Sequence, residues 1–339
     1  MKTQPVLALI LLLAAACAAS AAEPPRPMDF PPELYAGGES AGHKSTLTVV
    51  TANVGNADLF RCGNPYLYKL CVISVEQRVA AALASVRPDI VALQEVFDDD
   101  RCANIKEKDK GKVCYGYETR EPRHQARRLL GPDYTIVCDN RSHFECLGVH
   151  KDAGVILGCE PGGLCRGTAM IAAPAPAVCD EHPAIFAVDA EIRGLPVRIV
   201  NAHPSASNRQ CRTEQLQGLF QGYQGAPPVA DAKRNMLIMG DLNLHPFSDF
   251  TDSSIEIWRA YAGEGKDYYY LSGPAEHDPP YPTNAGRTID HVISNFATGK
   301  CMTLGRAPET PRFDGTHGDT DPAGTDHSPI VCELRFPGK

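Results

Sequence analysis

Met236-Leu-Ile-Met-Gly-Asp-Leu-Asn243 and Thr325-Asp-His-Ser-Pro-Ile330 decide the reading of this chain, because each joins an apolar run to a dense polar cluster. The first reads as a strand ending in Asp241 and Asn243, the second as Asp326 and His327 leading into a strand. Strands of that kind can meet at one edge of a sheet. The meeting point would hold a general base, an amide donor, a second carboxylate and an imidazole. That is the inventory for metal-assisted attack on a phosphate ester.

Working outward, 47–54 alternates and is β-branched, so it reads as a first strand, and 89–94 as a buried one. Between them Ser74 is placed to cap a helix that carries Val75, Val79, Ala82, Leu83 and Val86 on one side and stops at Pro88. A charged, cysteine-bearing insertion follows at 98–112. Further strands are expected at 134–138, 153–157, 168–172, 185–192, 197–203, 236–240, 288–294 and 330–334, and helices at 123–130 and 212–223, the latter with Leu216, Leu219 and Phe220 inward. Many strands with few helices between them argue for two stacked sheets flanked by helices.

The N-terminus carries Lys2, an apolar run from Val6 to Cys17 and the small residues 18–22, the three-part pattern of a secretory signal peptide. The run is too short to span a bilayer. The expected organisation is a signal peptide over 1–22, a Pro-rich arm over 23–44 and a single catalytic domain over 45–339. The expected destination is secreted or extracellular, with a periplasmic location or a lipid anchor on Cys17 as alternatives. The sequence has 13 cysteines, and removing Cys17 leaves an even number, which suits a disulfide framework in an oxidising compartment. No Cys-x-x-Cys occurs, which disfavours zinc ribbons and thioredoxin-like sites. Cys62 with Cys71 and Cys102 with Cys114 are examples of short loops that bridges could close, and sequence alone does not fix the connectivity. The formal net charge of −8 gives no general basic field for nucleic acid, so a phosphodiester would have to be bound locally.

Six positions at the ends of expected strands are polar: Asn53, Glu95, His203, Asp241 with Asn243, Asp290, and Asp326 with His327. Through Thr51-Ala-Asn53-Val, Leu93-Gln-Glu95-Val, Asn201-Ala-His203, Gly240-Asp-Leu-Asn243, Ile289-Asp290-His-Val and Thr325-Asp326-His327-Ser-Pro, in that order, the chain resembles the endonuclease/exonuclease/phosphatase superfamily. That group holds deoxyribonuclease I, abasic-site endonucleases, inositol polyphosphate phosphatases and neutral sphingomyelinases. The resemblance implies an α/β four-layer sandwich, two stacked mixed β-sheets flanked by helices, with the site at one edge of the sheets.

It also implies roles. Glu95 would be the principal ligand of Mg2+, with Mn2+ or Ca2+ as other ions, assisted by Asn53; Asp326 would be a further metal ligand or a partner for a histidine. Asp241 would orient or deprotonate the attacking water, and Asn243 would donate to a phosphate oxygen. His203 and His327 would contact the phosphate or move protons, and Asp290 would fix a tautomer or add a metal ligand. Alternation along 289–293 places Asp290 and His291 on opposite faces, so only one of them enters the site.

Several other features have plainer readings. Arg166 is a solvated arginine unless it reaches the phosphate, and 268–271 a β-rich segment packed on the sheet. The oxygen-rich loop 314–322 lacks EF-hand spacing.

The substrate is less legible. Asn201-Ala-His-Pro-Ser-Ala206 resembles deoxyribonuclease I and favours a secreted nuclease acting on nucleic acid. Gln94-Glu-Val-Phe-Asp98 and Cys211-Arg-Thr-Glu-Gln-Leu216 look like the sphingomyelinase branch and make a phospholipid headgroup the alternative. A binding protein that kept the fold but lost turnover is a third reading, and no obligate protein partner is evident.

Overall fold

In the computed structural model the described residues are 46–336, apart from 56–65, 67–68, 107, 140–143, 167–170, 173–175, 180–183, 248–251, 274–282, 285 and 304–324. The signal peptide, the Pro-rich arm, Cys17, Cys62 and the loop 314–322 lie outside them.

In chain order the strands are β1 (Thr46–Asn53), β2 (Ile90–Gln94), β3 (Tyr134–Cys138), β4 (Cys146–His150), β5 (Gly154–Ile156), β6 (Leu164–Arg166) and β7 (Ile171–Ala172). They continue with β8 (Ala184–Ile192), β9 (Leu195–His203), β10 (Asn235–Asp241), β11 (Tyr269–Tyr270), β12 (Asp290–Ser294), β13 (Thr298–Thr303) and β14 (Ile330–Arg335). The helices are α1 (Ile73–Val86), α2 (Gln125–Leu130), α3 (Arg209–Phe220) and α4 (Ser253–Tyr261). One sheet runs β13-β14-β1-β2-β4-β3-β6; the other runs β11-β12-β10-β9-β8-β5, with β7 also on β8. Both sheets are mixed: β1 is parallel to β2 and antiparallel to β14, and β10 is parallel to β9 and antiparallel to β12.

Strand periodicity builds three apolar layers from these elements. Leu47 and Val49 of β1, Ile90 and Ala92 of β2, Val197 and Ile199 of β9, and Leu237 and Met239 of β10 fill the space between the sheets. The alternate residues Val50, Ala52, Val91 and Leu93 pack against Val75, Val79 and Leu83 of α1 and Leu129 of α2. On the far side Val200, Ala202, Met236 and Ile238 meet Leu216, Leu219 and Phe220 of α3 and Trp258 of α4. The expected four-layer sandwich is therefore the observed one.

Local expectations differ at some ends. Ser74 does not cap α1; the helix starts at Ile73, whose N–H donates to Gly111 O at 2.9 Å, so the insertion supplies what a capping side chain would. Asn208 caps α3 by accepting from Cys211 N, which starts the helix at Arg209, earlier than expected.

Five disulfides join described residues: Cys102–Cys114 as expected, and Cys138–Cys146, Cys159–Cys165, Cys179–Cys211 and Cys301–Cys332. Each typically contributes about 2–4 kcal/mol by restricting the unfolded chain, and such frameworks belong to oxidising compartments. Cys71 is disulfide-bonded as well. No helix among the described residues is long and apolar enough to cross a membrane.

Candidate active site

The residues that point between the sheets turn polar at one end of the sandwich. On β1 the series Leu47, Val49 ends in Thr51 and Asn53; on β2 Ile90, Ala92 ends in Gln94; on β9 Val197, Ile199 ends in Asn201 and His203; on β10 Leu237, Met239 ends in Asp241. Gln94 and Asn201 make a floor between the apolar core and the site. Gln94 Nε2 donates to Asn201 Oδ1 at 2.8 Å, and Asn201 Nδ2 donates to Leu93 O and Cys146 O, each at 3.0 Å. The floor thus ties one sheet to the other.

Asp241 is the hub above it. Its Oδ2 accepts from Asn53 Nδ2 at 3.1 Å and faces His203 Nε2 at 3.7 Å and His327 Nε2 at 3.5 Å. Its Oδ1 accepts from Asn243 N at 2.9 Å, an Asx turn that holds Asn243 at φ 52°, while Asn243 Nδ2 donates to Pro204 O at 3.0 Å. Each histidine has its own carboxylate at the other ring nitrogen: Glu145 Oε1 lies 3.1 Å from His203 Nδ1, and Asp290 Oδ2 lies 2.8 Å from His327 Nδ1. Both rings consequently present Nε2 toward Asp241.

Glu95 directly follows β2 with φ 62°, a left-handed conformation uncommon outside glycine, asparagine and aspartate. Its Oε1 lies 3.7 Å from Lys69 Nζ and 3.9 Å from His203 Nε2. Gly55 makes this position available, because a Cβ there would collide with Glu95 Oε2. Asp326 is tethered by its backbone: its N–H donates to Gly55 O at 3.3 Å, and its carbonyl accepts from Asn284 Nδ2 at 3.1 Å.

All eight residues singled out in the sequence converge at this end of the sandwich. Sequence reading missed Glu145, the floor role of Gln94 and Asn201, and Thr283, whose hydroxyl accepts from Asp290 N at 3.2 Å. Asp290 and His291 do face opposite ways: His291 is buried among Tyr270, Trp258 and Leu244, and burial lowers its pKa to about 4. Tyr270 belongs to that packing, as the plain reading of 268–271 held. Arg166 is engaged with Asp100 at 2.7 Å and His124 at 2.9 Å. Arg212 and Gln215, from the stretch that looks like sphingomyelinases, brace the loop after His203: Arg212 Nη1 donates to Ser205 O at 2.8 Å, and Ser205 N to Gln215 Oε1 at 2.8 Å.

The electrostatics have one common cause, a surplus of carboxylates. Burial raises Asp326 to about 7, helped by the charges of Glu95 and Asp241 and opposed by His327. Burial works against protonating His327, yet the charges of Asp290 and Asp241 and the Asp290 hydrogen bond carry its pKa well above the ordinary value. Burial likewise opposes His203, and the hydrogen bond to Glu145 with the charges of Asp241, Glu145 and Glu95 raises it. Among the described residues Lys69 is the one permanent cation in ion-pair reach of Glu95, Asp241, Asp290 or Asp326. Asp290 Oδ1 and Asp326 Oδ1 are buried with no hydrogen-bond partner. Asp241, Asp290 and His327 each offer a ligand atom within 4.8 Å of one another. Hard oxygen donors, orphaned and in excess, fit a divalent cation.

The model of the Endonuclease/Exonuclease/phosphatase family matches residues 50–327. A search of curated protein sequences gave no match. Among solved structures, an endonuclease/exonuclease/phosphatase from Bacteroides vulgatus is similar at TM-score 0.53 and 15% identity, covering 87% of this chain and 100% of its own. The human Nocturnin catalytic domain with bound sulfate anion is similar at TM-score 0.51 and 14% identity, covering 86% and 95%. D. rerio TDP2 complexed with single strand DNA product is similar at TM-score 0.51 and 15% identity, covering 86% and 100%. At those identities the structures speak for the fold, and the family match speaks for the chemistry. The chain belongs to the endonuclease/exonuclease/phosphatase family, whose members are phosphoric ester hydrolases that generally use divalent metal ions.

Proposed function

We propose that this protein is a secreted, Mg2+-dependent phosphodiesterase that hydrolyses nucleic acid, with Asp241 as the residue that orients and deprotonates the attacking water. The observation that carries the reading is the convergence on Asp241 Oδ2 of Asn53 and two histidines, each backed by its own carboxylate. Water oxygen attacks phosphorus, the ester P–O bond breaks, and the departing oxygen takes up a proton. Nε2 of His203 or His327 is placed to hold a phosphoryl oxygen or give that proton, because Glu145 and Asp290 occupy the Nδ1 atoms, favour the charged form of each ring and aim it. Asn243 has spent one amide hydrogen on Pro204 O, and the second remains to donate to a phosphate oxygen as charge grows there.

Glu95, Asn53 and Asp326 would hold the divalent ion, which supplies Lewis-acid charge for the phosphoryl oxygens. Asn53 Oδ1 already accepts from Gly55 N at 3.0 Å, so it has one lone pair left for the ion. Gly55→Ala is expected to displace Glu95 while leaving both sheets intact. The Mg2+ concentration for half-maximal hydrolysis should rise at least about tenfold, in line with the usual cost of disturbing a residue that supports a metal ligand. An unchanged metal titration would remove Glu95 from the ion's ligands.

Two features support nucleic acid as substrate: the D. rerio relative is complexed with a single strand DNA product, and Arg212 and Gln215 act as braces of the His203 loop, which gives the stretch 211–216 a role without a lipid. The five disulfides support secretion. The direct test is nicking of supercoiled plasmid by the oxidatively folded protein, with Mg2+ and with chelator. Nicking that chelator abolishes is the expected result. Folded protein that leaves plasmid intact and cleaves sphingomyelin or another phospholipid would transfer the function to lipid headgroups.

A further inference from the structure

The charged insertion takes no part in the chemistry derived above, yet it is built onto the rim of the site. Asp98 caps a 3-10 helix over Asp99–Asn104 by accepting from Asp100 N, and Cys102, in that helix, is bonded to Cys114. A small core of Tyr66, Cys71, Phe97, Ile105, Val113 and Tyr117 fills the insertion. Arg128 clamps it from below, with Nε 2.6 Å from Glu76 and Nη2 3.0 Å from Asp99. A segment held by a disulfide, a core and a buried ion cluster presents its surface residues in a fixed place.

One of those residues is Arg101. Its guanidinium stands 4.6 Å from the centre of the Phe144 ring, and Lys69 Nζ stands 4.9 Å from the same centre. Phe144 connects both cations to the site: its carbonyl accepts from Val96 N at 2.8 Å, next to Glu95, and its neighbour Glu145 holds His203. Several other cations of this flank are matched with carboxylates. Arg128 has Glu76 and Asp99, Arg166 has Asp100 at 2.7 Å, and Lys108 has Glu118 at 3.1 Å. Arg101 has no carboxylate partner among the described residues, although acids outnumber bases in the chain, 41 to 33. It is half-buried, resting on an aromatic face that leaves a guanidinium's N–H groups free to meet an anion.

We propose that Arg101, with Lys69 behind it, binds the phosphate adjoining the scissile one, so that the insertion selects a nucleic-acid strand over a substrate with a single phosphodiester. This rests on the nuclease reading. A chain of net charge −8 repels a polyanion at long range, so a strand must be held by local cations, and Arg101 shares the Phe144 ring with Lys69, which itself lies 3.7 Å from Glu95 at the site. A substrate with one phosphate is fully engaged by Asp241, Asn243 and the histidines and has nothing to offer Arg101.

The test compares kcat/KM on a short single-stranded oligonucleotide with kcat/KM on bis(p-nitrophenyl) phosphate, in wild type, Arg101→Gln, Arg101→Lys and the control Lys108→Gln. In Arg101→Gln the ratio of the two should fall at least about tenfold. The log–log dependence of oligonucleotide kcat/KM on salt should become shallower by about one, the signature of a lost phosphate contact. Arg101→Lys should recover part of both, and Lys108→Gln, in the same insertion, should match wild type. A wild-type ratio and salt slope in Arg101→Gln would overturn the proposal. So would an equal loss in Lys108→Gln, which would make the effect one of insertion folding. Wild-type protein that hydrolyses the small diester and spares the oligonucleotide would instead sink the nuclease reading on which it rests.

Discussion

Asp241→Asn should lower kcat by about 10³-fold or more while leaving the protein folded, because the substitution removes a charge at the point on which the site converges. The isosteric amide can keep the Asx turn to Asn243 N, so the end of β10 stays in place. What it loses is the proton acceptor between His203 Nε2 and His327 Nε2, and the acceptor for Asn53 Nδ2. The structural cost is about one hydrogen bond, in the range of 0.5–1.5 kcal/mol, and relief of crowding among four carboxylates offsets part of it. Hydrolysis of plasmid or of bis(p-nitrophenyl) phosphate reads the rate, and a thermal melt reads the fold. A folded variant that keeps a tenth of the wild-type rate would exclude Asp241 as the base.

His327→Gln should cost about 10²–10³-fold in kcat, and Asp290→Asn a comparable amount, since the carboxylate acts only through the ring it holds at 2.8 Å. The informative variant is the double one. If Asp290 works by fixing the His327 tautomer and charge, the double variant is no slower than the slower single, as groups that act as a unit are strongly non-additive. Multiplying losses would mean that Asp290 has an independent task, and its unpartnered Oδ1 would point to binding the divalent ion. His203 with Glu145 allows the same cycle at the other ring.

What could be read from the sequence followed a physical rule. Residues at the ends of long apolar runs were legible because the run fixes the strand, the period of two fixes the face, and the polar terminus then has one place to be. Asp241, Asn243, Asp290 and His327 are of this kind, and His291 was separable from Asp290 on the same ground. Glu145 was not legible, since it precedes a five-residue strand interrupted by Gly148 and meets a histidine 58 positions away on the other sheet. No local pattern encodes a contact across the sandwich. Gln94 and Asn201 stood inside quoted motifs, but their floor exists only once the two sheets are stacked. α4 was missed because its nine residues offer few turns of periodicity, although Asp252 caps it by accepting from Ser254 N. The N-terminus of α1 was misplaced because a backbone carbonyl of the insertion, Gly111 O, replaces the expected cap.

The pairing of β1 with β14, in register from Thr46 with Arg335 to Thr51 with Ile330, places the first strand of the sandwich beside the last, inside a sheet. Synthesis runs from one end of the chain to the other, so β1 waits for nearly the whole polypeptide before its second neighbour exists. The same late segment brings His327 to Asp241. A chain still being made therefore has an open sheet and no complete site, and a truncation before residue 327 would forfeit both at once. Closing the sheet and completing the site are therefore one event, set by the arrival of β14.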